Sequence, residues 1–144
     1  MKALGIDFGE RRIGLAISDA EGRFALPLLT FERKDDRQAA DRIAAIAREE
    51  EVELLVLGEP RGAGGVRGGA AERVGRFGQR LAELTGLTLE LVDETLTTRE
   101  AARRLSEAGV DLRRHPERLD AVAAQIVLEE GLARRQPRDP GSHS

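Results

Sequence analysis

The chain has no cysteine, tryptophan or tyrosine, and phenylalanine occurs four times. Without cysteine there can be no disulfide and no thiolate metal site, so oxygen ligands or the two histidines, His115 and His143, must hold any metal ion. Oxygen ligation favours Mg²⁺ or Mn²⁺. The scarcity of aromatic rings excludes a platform on which single-stranded bases would stack, so any nucleic acid would be held by its backbone.

Long apolar runs are also missing from the sequence. No segment approaches the roughly 20 residues that span a bilayer, and no basic and apolar leader precedes the first predicted strand. We therefore expect a cytoplasmic protein that does not bind membranes. The length of 144 residues is enough for one domain with a single core.

The net charge of −3 argues against a protein that coats nucleic acid through bulk charge. Nearly all the cations are arginines, however, and they gather at residues 61–80, 99–118 and 134–138. The planar guanidinium group suits bidentate contacts with phosphate. Arginines on solvated helix faces are the simpler interpretation, and composition alone leaves both open.

The apolar pattern predicts an antiparallel meander of three strands, at residues 2–9, 11–18 and 24–31, with Pro27 on an edge strand. Helices and strands then alternate, which predicts an α/β fold with a mixed five-stranded sheet flanked by helices. Residues 136–144 are rich in Pro, Gly and Ser and are predicted to form a disordered tail after a domain at 1–135. The elements after the meander are placed at residues 36–50, 54–57, 70–85, 88–92, 97–108 and from 116 onward.

Two helix starts carry capping signals. Asp35 or Asp36 is expected to cap the first helix. Residues 97–100 (Thr-Thr-Arg-Glu) match a capping box, in which the Thr97 side chain would accept a hydrogen bond from the helix backbone.

Asp7 places a single carboxylate at the end of an otherwise apolar first strand. Burial of an isolated carboxylate costs about several kcal/mol unless a cation compensates for it, and a metal ion bound by further acids is one such compensation. Ala3 and Gly5 share the face of Asp7, because side chains alternate along a strand. These small residues leave room for a helix to approach closely.

Three later acids are candidates for the same cluster. Glu94 ends the fifth strand at the sheet edge where open α/β sheets bind ligands, and Glu59, after the fourth strand, has a similar position with weaker support. Asp120 lies in the first turn of the last helix, which is expected to pack against the first strand. A solvated loop carboxylate at Glu94 and a helix-dipole contact at Asp120 are the simpler interpretations.

A glycine-rich loop at residues 62–69 lacks both the Gly-Lys-Ser/Thr ending of a P-loop and the glycine spacing of a dinucleotide fingerprint. It is interpreted either as a flap that presents Arg61 and Arg67 to a phosphate backbone or as a plain flexible connection. Nucleophilic catalysis has little support, because neither histidine has a serine and an aspartate in register.

Three segments together closely resemble the YqgF/RuvX family of Holliday junction resolvase-like proteins. They are GIDFGERRIGLAISD at 5–19, DETLTT at 93–98 and LDAVAA at 119–124, and the resemblance extends to about Arg134. It implies a ribonuclease H-like fold and a cytoplasmic bacterial nuclease, or a homologue of one, linked to the 5′ end of precursor 16S ribosomal RNA.

The resemblance also implies an acidic site at Asp7, Glu94 and Asp120. The chain departs from the family pattern at Thr95, where the family usually has Arg, and at Glu59, where it usually has Leu before proline. The first change removes a potential phosphate or carboxylate contact. The second adds a candidate fourth ligand, similar in strand position to the second carboxylate of RuvC resolvases.

We therefore predict a metal-dependent nuclease that hydrolyses phosphodiester bonds in structured nucleic acid, either precursor 16S rRNA at its 5′ end or branched DNA. Asp7 would bridge two Mg²⁺ or Mn²⁺ ions about 4 Å apart, and Glu94 and Asp120 would complete their ligands. Six arginines are predicted to bind the nucleic acid: Arg11, Arg12, Arg61, Arg67, Arg113 and Arg114.

Two alternatives remain at this level. One is a catalytically quiet nucleic-acid-binding or ribosome-assembly factor with the same fold. The other is an actin-like phosphotransferase, which would need two such domains. The sequence does not separate RNA from DNA, because backbone contacts carry no base information. A monomer suits RNA trimming and a homodimer suits symmetric junction cleavage.

Overall fold

The computed structural model describes residues 1–60 and 69–135. The predicted flap with Arg61 and Arg67 and the predicted tail at 136–144 lie outside these residues. The elements are β1 (Ala3–Phe8), β2 (Arg12–Ser18), β3 (Ala25–Glu32), α1 (Asp36–Glu49), β4 (Leu54–Glu59), α2 (Gly69–Thr85), β5 (Thr88–Asp93), α3 (Thr97–Glu107) and α4 (Glu117–Arg135).

The five strands form one mixed sheet in the order β3-β2-β1-β4-β5. β1 pairs with β2, and β2 with β3, in antiparallel fashion, whereas β4 runs parallel to both β1 and β5. The predicted meander and mixed sheet are thus confirmed. Pro27 lies on the edge strand β3, where the missing N–H costs no hydrogen bond within the sheet, and the register of β2 against β3 shifts between Leu15 and Ala16.

Helices cover both faces of the sheet. On one face α1 and α2 pack on the larger apolar core, which includes Leu4, Ile6 and Leu57. On the other face α4 packs against smaller residues such as Ala3 and Ala16. α3 then packs on α4 through a separate cluster, farther from the sheet. Among the described helices, none has the length and apolar character needed to cross a lipid bilayer.

Glycines in β1 and β2 determine how closely α4 approaches the sheet. A Cβ atom on Gly5 would lie 2.6 Å from the carbonyl oxygen of Ala124, and a Cβ atom on Gly14 would overlap the backbone of Asp120. Gly14 is the antiparallel partner of Asp7. The close approach therefore brings the first turn of α4 beside Asp7, as the small residues of β1 predict.

The two capping predictions have different outcomes. Asp35 is the N-cap of α1, and its side chain accepts a hydrogen bond of 2.8 Å from the backbone N–H of Gln38. The capping box at Thr97 is wrong: Leu96 is the N-cap of α3, and no side chain caps this helix. Thr97 is instead buried in the first turn, and its N–H donates to the carbonyl of Glu94 at 3.0 Å. This backbone bond links Glu94 to the start of α3.

The close packing of α4 predicts that Gly14→Ala destabilises the fold by about 2 kcal/mol or more, because the added methyl group meets helix backbone that can move only with α4. The free energy of unfolding in urea measures this. Gly75→Ala in α2 is the matched control, since its Cβ atom has open space and alanine favours the helix by up to about 1 kcal/mol. Equal stability of the two variants would contradict the proposed packing.

Candidate active site

A cleft of about 580 Å³ lies at the carboxyl ends of β1 and β4 and is lined by Asp7, Glu94 and Asp120. The fold thus brings together three acids that are up to 113 positions apart in the chain. Asp7 comes from β1, Glu94 directly follows β5, and Asp120 lies in the first turn of α4.

Asp7 and Glu94 form a hydrogen-bonded pair of carboxyl groups. Burial raises the pKa of Asp7, the hydrogen bond from Glu94 partly opposes this rise, and the charge of Asp120 adds to it. Burial, together with the charge of Asp7 and the hydrogen bond to it, raises the pKa of Glu94 to about 10. At neutral pH the pair therefore retains a proton, with Glu94 as the donor and Asp7 as the acceptor.

Gly58 provides the space in which this pair forms. Ile6 and Leu57 are paired in the parallel register of β1 and β4, so the next residues along these strands, Asp7 and Gly58, lie side by side. A Cβ atom on Gly58 would overlap the carboxylate of Glu94. The absence of a side chain at this position lets Glu94 reach across β4 to Asp7.

Asp120 is held by a different partner. Its Oδ2 atom accepts a hydrogen bond of 2.6 Å from Nε of Arg12, and the side chains of Arg12 and Asp120 are 36% and 16% exposed. The hydrogen bond and charge of Asp120 raise the pKa of Arg12, with further contributions from Glu117 and Glu32. An ion pair with this exposure is worth about 1 kcal/mol or less.

The role of Arg12 as a nucleic-acid contact stays a prediction. In this structure its guanidinium group is paired with an acid of the cleft rather than presented freely to a phosphate. Local patterns do not indicate this pairing, because Arg12 and Asp120 are 108 positions apart.

Glu59 is not among the residues that line the cleft, and its placement as a fourth ligand stays a prediction. It is almost fully buried, and it shares a face of β4 with Leu55 and Leu57, which pack in the core beneath α1 and α2. Gly58 and the Glu94 carboxylate lie on the opposite face. Because side chains alternate along a strand, a position directly after Gly58 cannot share its face.

Three more of the predicted arginines belong to the described residues, and they do not line the cleft. Arg113 and Arg114 are exposed in the connection between α3 and α4, where Nε of Arg114 is 3.8 Å from a carboxylate oxygen of Asp111. Arg11 is exposed between β1 and β2.

Two arginines that sequence reasoning missed line the wall of the cleft opposite the acids. Arg33 donates hydrogen bonds to Asp36 and to the carbonyl of Glu10, and its guanidinium lies 4.7 Å from the centre of the Phe8 ring. Arg73 is 5.8 Å from the same ring centre and 3.2 Å from Asp36. The sequence contains an indication of the position of Arg73, because this residue directly precedes Val74, which belongs to the buried face of α2.

Comparisons with known proteins agree with this architecture. A family model described as "RuvX: Holliday junction resolvase" matches residues 1–134. The chain belongs to the RuvX family. A relative from Myxococcus xanthus is 38% identical over 143 residues, covering 99% of this chain and 95% of the relative. Another from Chloroflexus aggregans is 41% identical over 135 residues, covering 93% and 95%. Both are named "Putative pre-16S rRNA nuclease".

Solved structures confirm the ribonuclease H-like fold of this RuvX-family chain. Thermus thermophilus RuvC in complex with a Holliday junction aligns with a TM-score of 0.60 at 18% identity, covering 94% of this chain and 96% of RuvC. The fowlpox virus resolvase in complex with junction DNA aligns with a TM-score of 0.57 at 11% identity, covering 95% and 100%. The family and the names of the curated relatives identify a nuclease.

The acids of this RuvX-family cleft suit a hard divalent cation by their chemistry. All the donors are carboxylate oxygens, the type that Mg²⁺ and Mn²⁺ prefer. Two buried carboxyl groups in contact retain a proton in the absence of a cation, and a cation would replace it. Over residues 1–60 and 69–135 no three acidic or histidine side chains are already gathered as an ion site. Asp120 would have to move closer to the pair to share an ion with it, and Arg12 bonds to one of its two carboxylate oxygens, Oδ2.

The shared proton predicts how stability depends on pH. The folded state keeps the Glu94 proton up to a pKa of about 10, whereas an unfolded Glu loses it near 4.5. Folding then binds a proton, so the free energy of unfolding of the metal-free protein should fall as pH rises from about 5 to 9. Urea unfolding in EDTA at several pH values measures this slope. Glu94→Gln should flatten it, and equal slopes would contradict the assignment.

Proposed function

We propose that this protein is a divalent-metal-dependent nuclease whose catalytic residues are Asp7, Glu94 and Asp120. The observation that carries the proposal is the buried Asp7 and Glu94 pair in the same cleft as Asp120. Paired carboxylates in a chain of a nuclease family are suited to holding the cation that phosphodiester hydrolysis uses.

The residues have separable roles in this proposal. A bound Mg²⁺ or Mn²⁺ would act as a Lewis acid toward the phosphate and would lower the pKa of water to give a nucleophile. Asp7 and Glu94 would bind the cation through their carboxylate oxygens after losing the shared proton, and Asp120 would complete the ligands. Arg73 lines the cleft with an exposed side chain and would orient the phosphate through its guanidinium group, while the buried Arg33 holds Asp36 and the Glu10 carbonyl in place.

The substrate that we propose is the 5′ end of precursor 16S rRNA. Its support comes from relatives at 37–41% identity that align over nearly their whole length and are named for this activity. Branched DNA is the second candidate, supported by the description of the matching family. Processing of precursor rRNA would place the protein in the cytoplasm, and a monomer would suffice for it.

Replacement of Asp7 by asparagine tests the mechanism. Asp7→Asn should lower Mn²⁺-dependent cleavage by about 100-fold or more, because an amide binds a divalent cation much more weakly than a carboxylate does. Cleavage should be assayed on a precursor 16S rRNA fragment, a four-way DNA junction and single-stranded DNA. Asp41→Asn removes the same charge from an exposed position on α1 and should retain activity.

Two outcomes would contradict this proposal. Equal cleavage by wild type and Asp7→Asn would exclude the acidic site. Binding of nucleic acid that is the same with and without Mn²⁺, together with no product from any substrate, would instead favour the catalytically quiet assembly factor.

The role of Gly58 gives a second test that leaves the acids in place. A methyl group in Gly58→Ala meets mainly the end of the flexible Glu94 side chain and lies 3.0 Å from Cγ2 of Val127, so the fold should tolerate it after a small shift of Val127 while Glu94 moves away from Asp7. We expect cleavage to fall by about 10- to 100-fold, in the range seen when groups that position metal ligands are changed. Thermal melting should confirm the fold, and full activity would show that the Asp7 and Glu94 contact is dispensable.

A further inference from the structure

The ion pair between Arg12 and Asp120 engages Oδ2, one oxygen of a carboxylate that the proposed nuclease needs for its cation. Arg12 begins β2, and the overlap that a side chain on Gly14 would cause shows how tightly the first turn of α4 rests on that strand. The fold therefore holds Arg12 and Asp120 against each other. The bond of 2.6 Å directs Asp120 toward β2, while Asp7 and Glu94 bond to one another.

We propose that Arg12 is a positioning residue that keeps Asp120 from the cation until a phosphate group of the nucleic acid takes over the guanidinium. Release of Asp120 would then complete the cation ligands only when substrate is present. This inference rests on the proposed function and adds a coupling between nucleic-acid binding and metal binding.

The contacts of Arg12 permit this exchange. Its side chain is 36% exposed, so a phosphate can reach it. In the described part of the chain its bond to Asp120 uses Nε, and the guanidinium carries four further N–H donors on its terminal nitrogens. A phosphate accepts from such a fork in bidentate fashion, which compensates for the loss of the single bond to Asp120.

The charges around Arg12 favour a polyanion over a free phosphate ion. Glu32 and Glu117 both act on Arg12 electrostatically and would repel an isolated anion. A nucleic acid that is also held by Arg73, which lines the cleft, would bring its phosphate to Arg12 at high effective concentration. The exchange should therefore respond to nucleic acid and not to inorganic phosphate.

A double-mutant cycle separates this role from simple charge repulsion between Arg12 and the cation. The dissociation constant of Mn²⁺ is measured by electron paramagnetic resonance, without nucleic acid, for wild type, Arg12→Gln, Asp120→Asn and the double variant. Arg12→Gln should tighten Mn²⁺ binding by up to about fivefold. A partly exposed ion pair contributes no more free energy than this factor corresponds to, so its loss cannot change the affinity further. In the Asp120→Asn background the same change should have no effect.

Arg99→Gln is the matched control, because it removes a positive charge from an exposed position next to Thr98, a residue that lines the cleft. Its Mn²⁺ affinity should stay near that of wild type. Tightening that persists in the Asp120→Asn background, or that Arg99→Gln reproduces, would show a general charge effect and overturn the proposal.

The coupling to nucleic acid is tested by fluorescence anisotropy with a labelled four-way DNA junction whose phosphorothioate linkages slow hydrolysis. At constant ionic strength, Mn²⁺ should tighten junction binding by wild type more than by Arg12→Gln, since coupling between two ligands is reciprocal. Inorganic phosphate should leave Mn²⁺ affinity unchanged. An equal Mn²⁺ effect in both proteins would overturn the coupling.

These results also distinguish failure of this inference from failure of the proposed function. Mn²⁺ binding without coupling between Arg12 and Asp120 overturns the role of Arg12 and leaves the nuclease proposal intact. Absence of Mn²⁺ binding in wild type and in every variant would overturn both.

Discussion

The contact between the carboxyl groups of Asp7 and Glu94 is the interaction on which the cleft depends. Two buried acids in contact are unfavourable when both are charged, and the structure accommodates them by raising the pKa of both. A protein gains no stability by keeping such a pair when an apolar pair would fill the space. The proposed metal-dependent nuclease gives a reason for keeping the pair, since a cation would replace the shared proton.

Glycines connect the fold to this pair. Gly14 lets α4 lie directly on β2 and so brings Asp120 beside Asp7, and Gly58 leaves open the space that the Glu94 side chain crosses. Both glycines lie within strands of the central sheet. Glycine weakens a strand, so its presence at these two points indicates that close approach matters more there than strand stability.

Most of the fold could be predicted from the sequence, because its signals are local. The apolar strands, the Asp35 cap and the position of Pro27 each depend on a few neighbouring residues. Asp7, Glu94 and Asp120 were predicted to meet because strand ends and the packing of a helix on small residues follow general rules. The error at Thr97 arose because tertiary burial of its side chain outweighed a local capping pattern.

The contacts that sequence reasoning missed involve long side chains and distant partners. Arg12 reaches Asp120 only because α4 crosses β2, and Arg33 and Arg73 meet at Phe8 from different elements. In each case the contact depends on the direction in which a long side chain points in the folded protein. The spacing of residues along the chain does not give that direction.

The claim that the acidic cleft binds a divalent cation is tested most directly by anomalous diffraction from crystals soaked in Mn²⁺. The account predicts an anomalous peak within bonding distance of carboxylate oxygens of both Asp7 and Glu94. A Mn²⁺ ion bound elsewhere, with these two acids still hydrogen-bonded to each other, would contradict it.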